Sequence, residues 1–345
     1  MAIDAGRRLG YNEARKKDRT MEKVKVCWVI PTEPSLRESI QAACPQAQID
    51  FCERTALDEQ RVADAEVVIG NLPKRWLPEA RALRWLHLES AGAEQYAQEE
   101  LLGEDVLLSN STGAYGPAIA EHMLAGVLSI YKKLNLYREN QKLRVWKNEG
   151  QVRSLKGSSV LIVGLGDIGR EFGWRMKALG CTVTGVKRTP GGCPDYVDRL
   201  VLMDQIEEEL PNADIVALCL PSTPETRHFF DQRRLALTRR DCVLVNVGRG
   251  VTVETPALCA LLDQGHFGGL VLDVVDPEPL PMNNPLWGYD RVILTPHVSG
   301  NYNQQSTYDT VIAMAVENLQ RYLDKQPLKY RVDRKSGYRV SNNQE

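Results

Sequence analysis

The 345-residue sequence predicts an α/β protein built from two blocks of buried parallel strands. Three features carry that prediction. Short apolar runs alternate with helical periodicity along most of the chain. The runs are nearly continuous rather than alternately polar and apolar, as strands covered on both faces are. A glycine-rich turn, GLGDIG at 164–169, joins one such run to a helical segment. The chain, 43% hydrophobic and 26% charged, has the composition of a globular protein and is long enough for two domains.

Taken in order, residues 1–20, MAIDAGRRLGYNEARKKDRT, are polar and basic ahead of a second methionine, Met21, and read as a mobile extension. From Val24, VKVCWVI, AQIDF, AEVVIG and LRWLHLE read as strands, with helical segments around 35–43 and 55–63. Residues 116–141, GPAIAEHMLAGVLSIYKKLNLYRENQ, keep apolar side chains at helical spacing behind Pro117. They predict one long helix that connects two domains or forms a subunit interface. The second block has strands SVLIVG (159–164), CTVTGV (181–186), DIVALCL (214–220), CVLVNV (242–247), GLVLDVV (269–275) and RVILT (291–295). A helix over 303–323 follows, and beyond about Lys329 the polar sequence reads as a mobile tail.

The bulk properties exclude several classes. A net charge of −2 gives no general attraction to nucleic acid or an anionic membrane. No apolar run has transmembrane length and the N-terminus lacks the apolar core of a signal peptide, so a cytoplasmic protein is expected. None of the eight cysteines belongs to a C-x-x-C pair, and Cys27, Cys181, Cys219 and Cys242 lie in strand-like runs. They read as core thiols, and no metal site is expected.

In SVLIVGLGDIGREFGWRMKALG a strand precedes the G-x-G-x-x-G pattern, a helix follows it, and a second strand comes next, the setting of a dinucleotide loop. Gly164 permits the tight turn, Gly166 lets the backbone approach a pyrophosphate, and Gly169 allows the helix to pack closely on the strand. The helix N-terminus offers free N–H donors and a positive dipole. At the end of the next strand, where an acid usually holds the adenosine ribose, stand Lys187 and Arg188. Two cations suit a 2′-phosphate, which favours NADP(H), with NAD(H) the alternative.

Three strand ends then carry ionisable groups. VLVNVGRG places Arg249 between two glycines that would keep its surroundings open. LVLDVVDPEP (270–279) places Glu278 in a loop with prolines at 277, 279 and 281, and LTPHVSG (294–300) places His297 directly after Pro296. Arginine binds a carboxylate through two parallel hydrogen bonds. His297 can give a proton to a ketone oxygen as hydride arrives at the adjacent carbon, or take it back, and Glu278 would orient the ring and favour its cationic form. His87, His122, His228 and His266 read as structural or solvated.

With these motifs in this order, the chain from about Met21 to about Leu328 resembles the D-isomer-specific 2-hydroxyacid dehydrogenases, whose Arg, Glu and His motifs match as NVGRG, DVVDPEP and TPHVSG. The resemblance implies catalytic roles for Arg249, Glu278 and His297. It implies that the loop Ser90-Ala91-Gly92-Ala93 offers backbone N–H groups to a substrate carboxylate. For the cofactor it implies backbone contacts at Asp167 and Ile168, a cleft lined by Leu220, Pro221, Val247, Gly248, His297 and Gly300, and Asp273 near the nicotinamide amide.

The implied fold has two domains, a Rossmann nucleotide-binding domain (116–298) inserted in a flavodoxin-like substrate-binding domain (21–115 and 299–330), with 331–345 a mobile tail. It implies a homodimer held by helix 116–141. Trp146 would either reach a partner's active site or pack the interface. The expected reaction is hydride transfer between a nicotinamide and C2 of a small 2-keto acid, glyoxylate and hydroxypyruvate among the candidates. A phosphoglycerate dehydrogenase lacking a regulatory domain is the rival enzyme. A formate dehydrogenase fits less well, because that relative pairs its His with Gln. A nucleotide-sensing corepressor is the rival from another class.

Overall fold

The computed structural model describes residues 22–97, 102–302 and 304–334. The expected basic extension 1–20 lies outside them. The described chain forms two parallel sheets flanked by helices, an α/β fold.

Five short strands, β1 (Val24–Trp28), β2 (Ala47–Phe51), β3 (Val67–Ile69), β4 (Trp85–His87) and β5 (Leu107–Ser109), pair in the order β2-β1-β3-β4-β5. Helices α1 (Pro34–Ala43) and α2 (Glu59–Asp64) fill the first crossovers, and the Asp58 carboxylate caps α2 by accepting the Arg61 N–H at 2.9 Å. Trp28 and Trp85 are fully buried in this layer. Strand β5 was not foreseen, since its three residues sit behind the polar run GED and show no periodicity of their own.

The chain past Lys329 was expected to trail away. Instead Asn110 N–H donates to the Tyr330 carbonyl, Ser109 bridges Arg331 in antiparallel fashion, and Val332 N–H donates to Leu108. An edge strand exposes unpaired backbone groups, and β5 finds a partner here that polarity alone could not announce.

The segment read as one helix, 116–141, is two: α3 (Gly116–Tyr131) and α4 (Leu134–Leu143). Lys133 takes a left-handed conformation with φ 57° and breaks the run, while the apolar spacing continues through Leu134 and Leu136 and conceals the break. On α3, a Cβ at Gly126 would come within 2.4 Å of Val271, so glycine is what lets this helix lie against the second sheet.

That sheet contains β6 (Ser159–Val163), β7 (Thr182–Lys187), β8 (Arg199–Leu202), β9 (Ile215–Leu218), β10 (Val243–Asn246), β11 (Gly269–Leu272) and β12 (Val292–Leu294), in the order β12-β11-β10-β9-β6-β7-β8. Its helices are α5 (Asp167–Ala178), α6 (Ile206–Glu209), α7 (Gln232–Leu237) and α8 (Thr255–Asp263). Val160, Ile162, Ala217, Val245 and Val271 enter one core and Leu161, Val163, Leu218, Leu244 and Leu270 the other, which explains the near-continuous apolar strands. The chain runs outward from β6 through β7 to β8, then restarts at β9 on the other side. The crevice beyond β6 and β9 is therefore a topological switch point, where open α/β sheets bind ligands.

Helix α9 (Gln305–Leu323) returns to the first sheet. Tyr322 stacks on Trp85 with ring centroids 5.3 Å apart and donates its hydroxyl to Glu66 at 2.7 Å. Among the described residues no helix is long and apolar enough to cross a membrane.

Candidate active site

The glycine loop leaves β6 at the switch point. Gly164 has φ +101°, and a Cβ there would lie 2.9 Å from the Cys219 carbonyl. At Gly169 a Cβ would stand 2.0 Å from the Gly164 carbonyl, so the first turn of α5 packs directly on the loop. At Gly166, the N-cap of α5, it would meet nothing within 4 Å. Open space therefore adjoins the unpaired N–H groups at the start of a twelve-residue helix, a cradle that fits a pyrophosphate.

The Asp167 side chain turns away from this space and accepts the Gly116 N–H at 3.0 Å, leaving only its backbone at the loop. Burial raises its carboxyl above the usual range, and Arg170 and the Gly116 N–H oppose that rise. Val163 pairs with Val186, which puts Lys187 across from Gly164 with Arg188 next to it. The Lys187 ammonium donates to the Gly192 carbonyl at 3.4 Å, and Arg188 is within electrostatic reach of Glu225. Leu220 lies beyond β9 on the facing side, and a Cβ at Gly248 would come within 2.5 Å of its carbonyl.

Strands β10, β11 and β12 are neighbours, so their carboxyl ends lie side by side at the usual spacing of about 4.8 Å. Register brings the ionisable groups together. Asn246 pairs with Leu272 and Leu272 with Leu294, and Arg249 and His297 each lie three residues past these partners. His297 Nδ1 is 2.9 Å from Glu278 Oε2, and Glu278 Oε1 accepts the Val275 N–H at 3.1 Å. A carboxylate only accepts, so Nδ1 carries the proton in this bond and Nε2 is left for another partner.

His297 itself has φ 53° and donates its N–H to the Asp273 carbonyl at 2.8 Å. The resemblance placed Asp273 beside a nicotinamide amide. Here both of its oxygens are engaged by the loop that carries His297: Oδ1 accepts Thr295 Oγ1 at 2.6 Å and Val298 N–H at 3.0 Å, and Oδ2 accepts Ser299 N–H at 3.1 Å and Ser299 Oγ at 2.5 Å. Burial opposes ionisation of Asp273, but these hydrogen bonds outweigh it and hold the carboxyl below the ordinary range. His122 of α3 joins the same network, its Nε2 3.1 Å from Thr295 Oγ1.

The two glycines around Arg249 do not open its surroundings as expected. Gly250 would bring a Cβ within 1.9 Å of the Val275 carbonyl, so both glycines admit backbone that passes very close. The buried Asn246 braces this turn, donating to the Arg249 carbonyl at 3.0 Å and accepting the Gly248 N–H at 3.2 Å. Beyond it the guanidinium crosses to the first sheet. Nη1 donates to the Gly248 carbonyl at 2.7 Å, and Nη2 lies 2.9 Å from Glu94 Oε1.

That contact brings Arg249 to the loop Ser90-Ala91-Gly92-Ala93. Asn110 Nδ2 donates to the Ala91 carbonyl at 2.6 Å, and Ser90 Oγ donates to the Gly92 carbonyl at 2.7 Å. Among the described residues no acceptor takes the N–H groups of Ala91, Gly92 or Ala93, so three donors that could meet an anion lie beside the guanidinium. Glu89, buried just before the loop, pairs with Arg54 and accepts Tyr302 Oη at 2.6 Å. Gly300, between His297 and Tyr302, lies against Tyr115 and Ile119 of the α3 entry.

Glu94, Glu89, Arg54 and Tyr302 escaped the sequence reading because they belong to no motif. Only the position of Glu94, directly after SAGA, was a signal. Among the described residues no cluster of three or more His, Cys, Asp and Glu side chains could hold a metal ion.

Comparison with known proteins identifies the family. The family model for the NAD-binding domain of D-isomer specific 2-hydroxyacid dehydrogenases matches residues 124–299. A solved member of that family from Aeromonas salmonicida is 31% identical, with TM-score 0.82 over 91% of this chain and 99% of its own. A D-isomer specific 2-hydroxyacid dehydrogenase from Xanthobacter autotrophicus, solved in complex with NADPH and MES, is 25% identical, with TM-score 0.77 over 92% of this chain and 100% of its own. A glyoxylate/hydroxypyruvate reductase of Arabidopsis thaliana is 26% identical over 271 residues, 77% of this chain and 82% of that protein. A glycine loop at the switch point, Arg, Glu and His at three adjoining strand ends, and these matches together establish that the chain belongs to the D-isomer specific 2-hydroxyacid dehydrogenases, NAD(P)-dependent enzymes.

Proposed function

We propose that this enzyme reduces a small 2-keto acid to the D-2-hydroxy acid with NADPH, glyoxylate and hydroxypyruvate being the first candidates. The observation that carries the reading is the His297–Glu278 pair at 2.9 Å, held at a strand end beside that of Arg249. Arg249 and the N–H groups of Ala91, Gly92 and Ala93 hold the substrate carboxylate, and Arg249 also reaches the 2-oxo oxygen. Bound nicotinamide supplies the hydride to C2. His297 Nε2 gives its proton to the oxygen that becomes the hydroxyl, and solvent restores that proton after product leaves. Glu278 orients the ring through Nδ1.

Gly164, Gly166, Gly169 and the backbone of Asp167 and Ile168 would hold the pyrophosphate. Lys187 and Arg188 meet the 2′-phosphate where β7 offers no carboxylate. The NADPH in the Xanthobacter relative and the name of the Arabidopsis one support the cofactor and the substrate class. We place the enzyme in a homodimer, because Leu143, Val145, Trp146 and Val152 are exposed apolar side chains at the end of α4 and in the segment that follows it.

Initial rates of NADPH and NADH oxidation over a panel of 2-keto acids test the whole reading. Turnover with NADPH on small acids is the expected result. Tight nucleotide binding without turnover would turn the assignment toward a nucleotide-sensing binding protein.

A further inference from the structure

Arg249 makes an unusual crossing. It starts at the end of β10 in the seven-stranded sheet, yet its guanidinium rests on a loop of the five-stranded one. A Cβ on Gly92 would lie 2.1 Å from Arg249 Nη2 and 2.8 Å from Glu94 Oε2, so guanidinium, glycine and carboxylate form one close-packed group. Nη2 contacts both carboxylate oxygens of Glu94, at 2.9 and 3.2 Å, and Nη1 is tied to the Gly248 carbonyl at 2.7 Å. A guanidinium has five N–H donors, so Nε–H and the second N–H of each terminal nitrogen remain for a ligand. An arginine carries several freely turning bonds, and one fixed at both terminal nitrogens presents its remaining donors in a single orientation.

Glu94 does not fill the anion seat itself. Its oxygens engage Arg249, whereas among the described residues nothing takes the N–H groups of Ala91, Gly92 and Ala93. Because Glu94 directly follows Ala93, it moves with the loop, and a guanidinium bound to it moves with the loop as well.

We propose that Glu94 is a positioning residue for the substrate: it locks Arg249 to the carboxylate-binding loop, so that donors from both sheets converge on one 2-keto acid. This rests on the reading of Arg249 as the substrate ligand. The role differs from a competitor that substrate must displace, and the two predict opposite changes in affinity.

The test uses the full chain with NADPH bound and oxamate, an unreactive 2-keto acid mimic, as the probe, followed by nucleotide fluorescence. Glu94→Gln keeps the size of the side chain and removes its charge. It should weaken oxamate binding and raise KM for glyoxylate by about tenfold, the scale of one charge-assisted hydrogen bond, while kcat falls by about threefold or less. Glu94→Asp should return both affinities to within about threefold of wild type. NADPH affinity should be unchanged in both variants, which also shows that they fold.

Unchanged or tighter oxamate binding in Glu94→Gln overturns the proposal, and tighter binding identifies Glu94 as a competitor instead. Arg249→Ala separates the two levels of the argument. Wild-type oxamate affinity in that variant removes the role of Arg249 and the proposal with it. Loss there, with no loss in Glu94→Gln, removes the proposal alone.

Discussion

Acid should weaken this fold through one histidine that takes no part in the reaction. His87 ends β4, three residues before the loop that begins at Ser90, and is fully buried. Trp85 Nε1 donates to Ser109 Oγ at 2.8 Å, which frees the Ser109 hydroxyl hydrogen for His87 Nδ1, also at 2.8 Å. Its other partner is Ser111 Oγ, 3.5 Å from Nε2, so among the described residues the ring's hydrogen-bond partners are hydroxyls. Burial without a carboxylate pushes the imidazole from 6.5 down to about 3.

The sign follows from which state binds the proton. Between about pH 3 and 6.5 the unfolded chain is protonated at His87 and the folded one is not, so stability falls as pH falls through that window; above it the group contributes no pH dependence. Each pH unit costs about 1.4 kcal/mol, which makes about 2 kcal/mol lost by pH 5. That is a sizeable share of a typical stability of about 5–15 kcal/mol. Asp273 and Glu207 are held below the usual carboxylate range and the buried Asp167 above it, but both proteins share these groups, so their titrations cancel in the comparison of wild type with a His87 variant. Urea unfolding of wild type and His87→Gln, followed by tryptophan fluorescence from pH 7.5 to 5, isolates the effect. Gln keeps an acceptor for Ser109 and cannot charge, so its stability should lose about 2 kcal/mol less than wild type between pH 7 and pH 5. Parallel pH profiles for the two proteins would refute the reasoning.

The site makes further demands. His297→Ala should lower kcat by about 100- to 10,000-fold, and Arg249→Ala should lower kcat/KM on the order of 100-fold through both constants; near-wild-type kinetics in either variant sinks that residue's role. The double change Lys187→Asp, Arg188→Ala should shift the NADPH/NADH ratio of kcat/KM toward NADH by about tenfold or more, one lost charge-assisted contact being worth that much. An unchanged ratio means the two cations do not meet the phosphate. Trp146→Asp should move the sedimentation coefficient toward that of the monomer, because it puts a charge in place of the large exposed apolar side chain proposed to pack the interface. A monomeric wild type, or a variant that sediments like it, would locate no interface there.

What the sequence could reveal follows a physical division. Local features were legible: the glycine loop obeys steric rules that act within a few residues, and the strands of the second sheet are apolar on both faces because both faces are covered. Two of the four edge strands were not, whereas β2 and β12 were read from AQIDF and RVILT. β5 and β8 are only three and four residues long, too short to show a period, and each is held by neighbours, the Tyr330–Val332 segment in one case and β7 in the other. The break at Lys133 was equally hidden, since a single left-handed residue leaves the apolar spacing of α3 and α4 undisturbed.

The same division runs through the candidate site, and it explains why the motif residues alone do not make one. Sequence shows Arg249, Glu278 and His297 as three separate strand ends. They become one constellation because β10, β11 and β12 are adjacent and in register, a property of the whole sheet. Their orientation comes from groups outside the motifs' chemistry. Asp273 gives both oxygens to the loop of His297, whose imidazole meets Glu278 through Nδ1; Asn246 braces the turn of Arg249. Each of these helpers lies at or beside a strand end of the same sheet. Glu94 stands apart because it comes from the other sheet, and an arginine held only from its own sheet would have no fixed relation to the N–H groups of Ala91, Gly92 and Ala93. A site shared between two sheets needs at least one contact that crosses the cleft and does not depend on substrate, and the Arg249–Glu94 pair is such a contact.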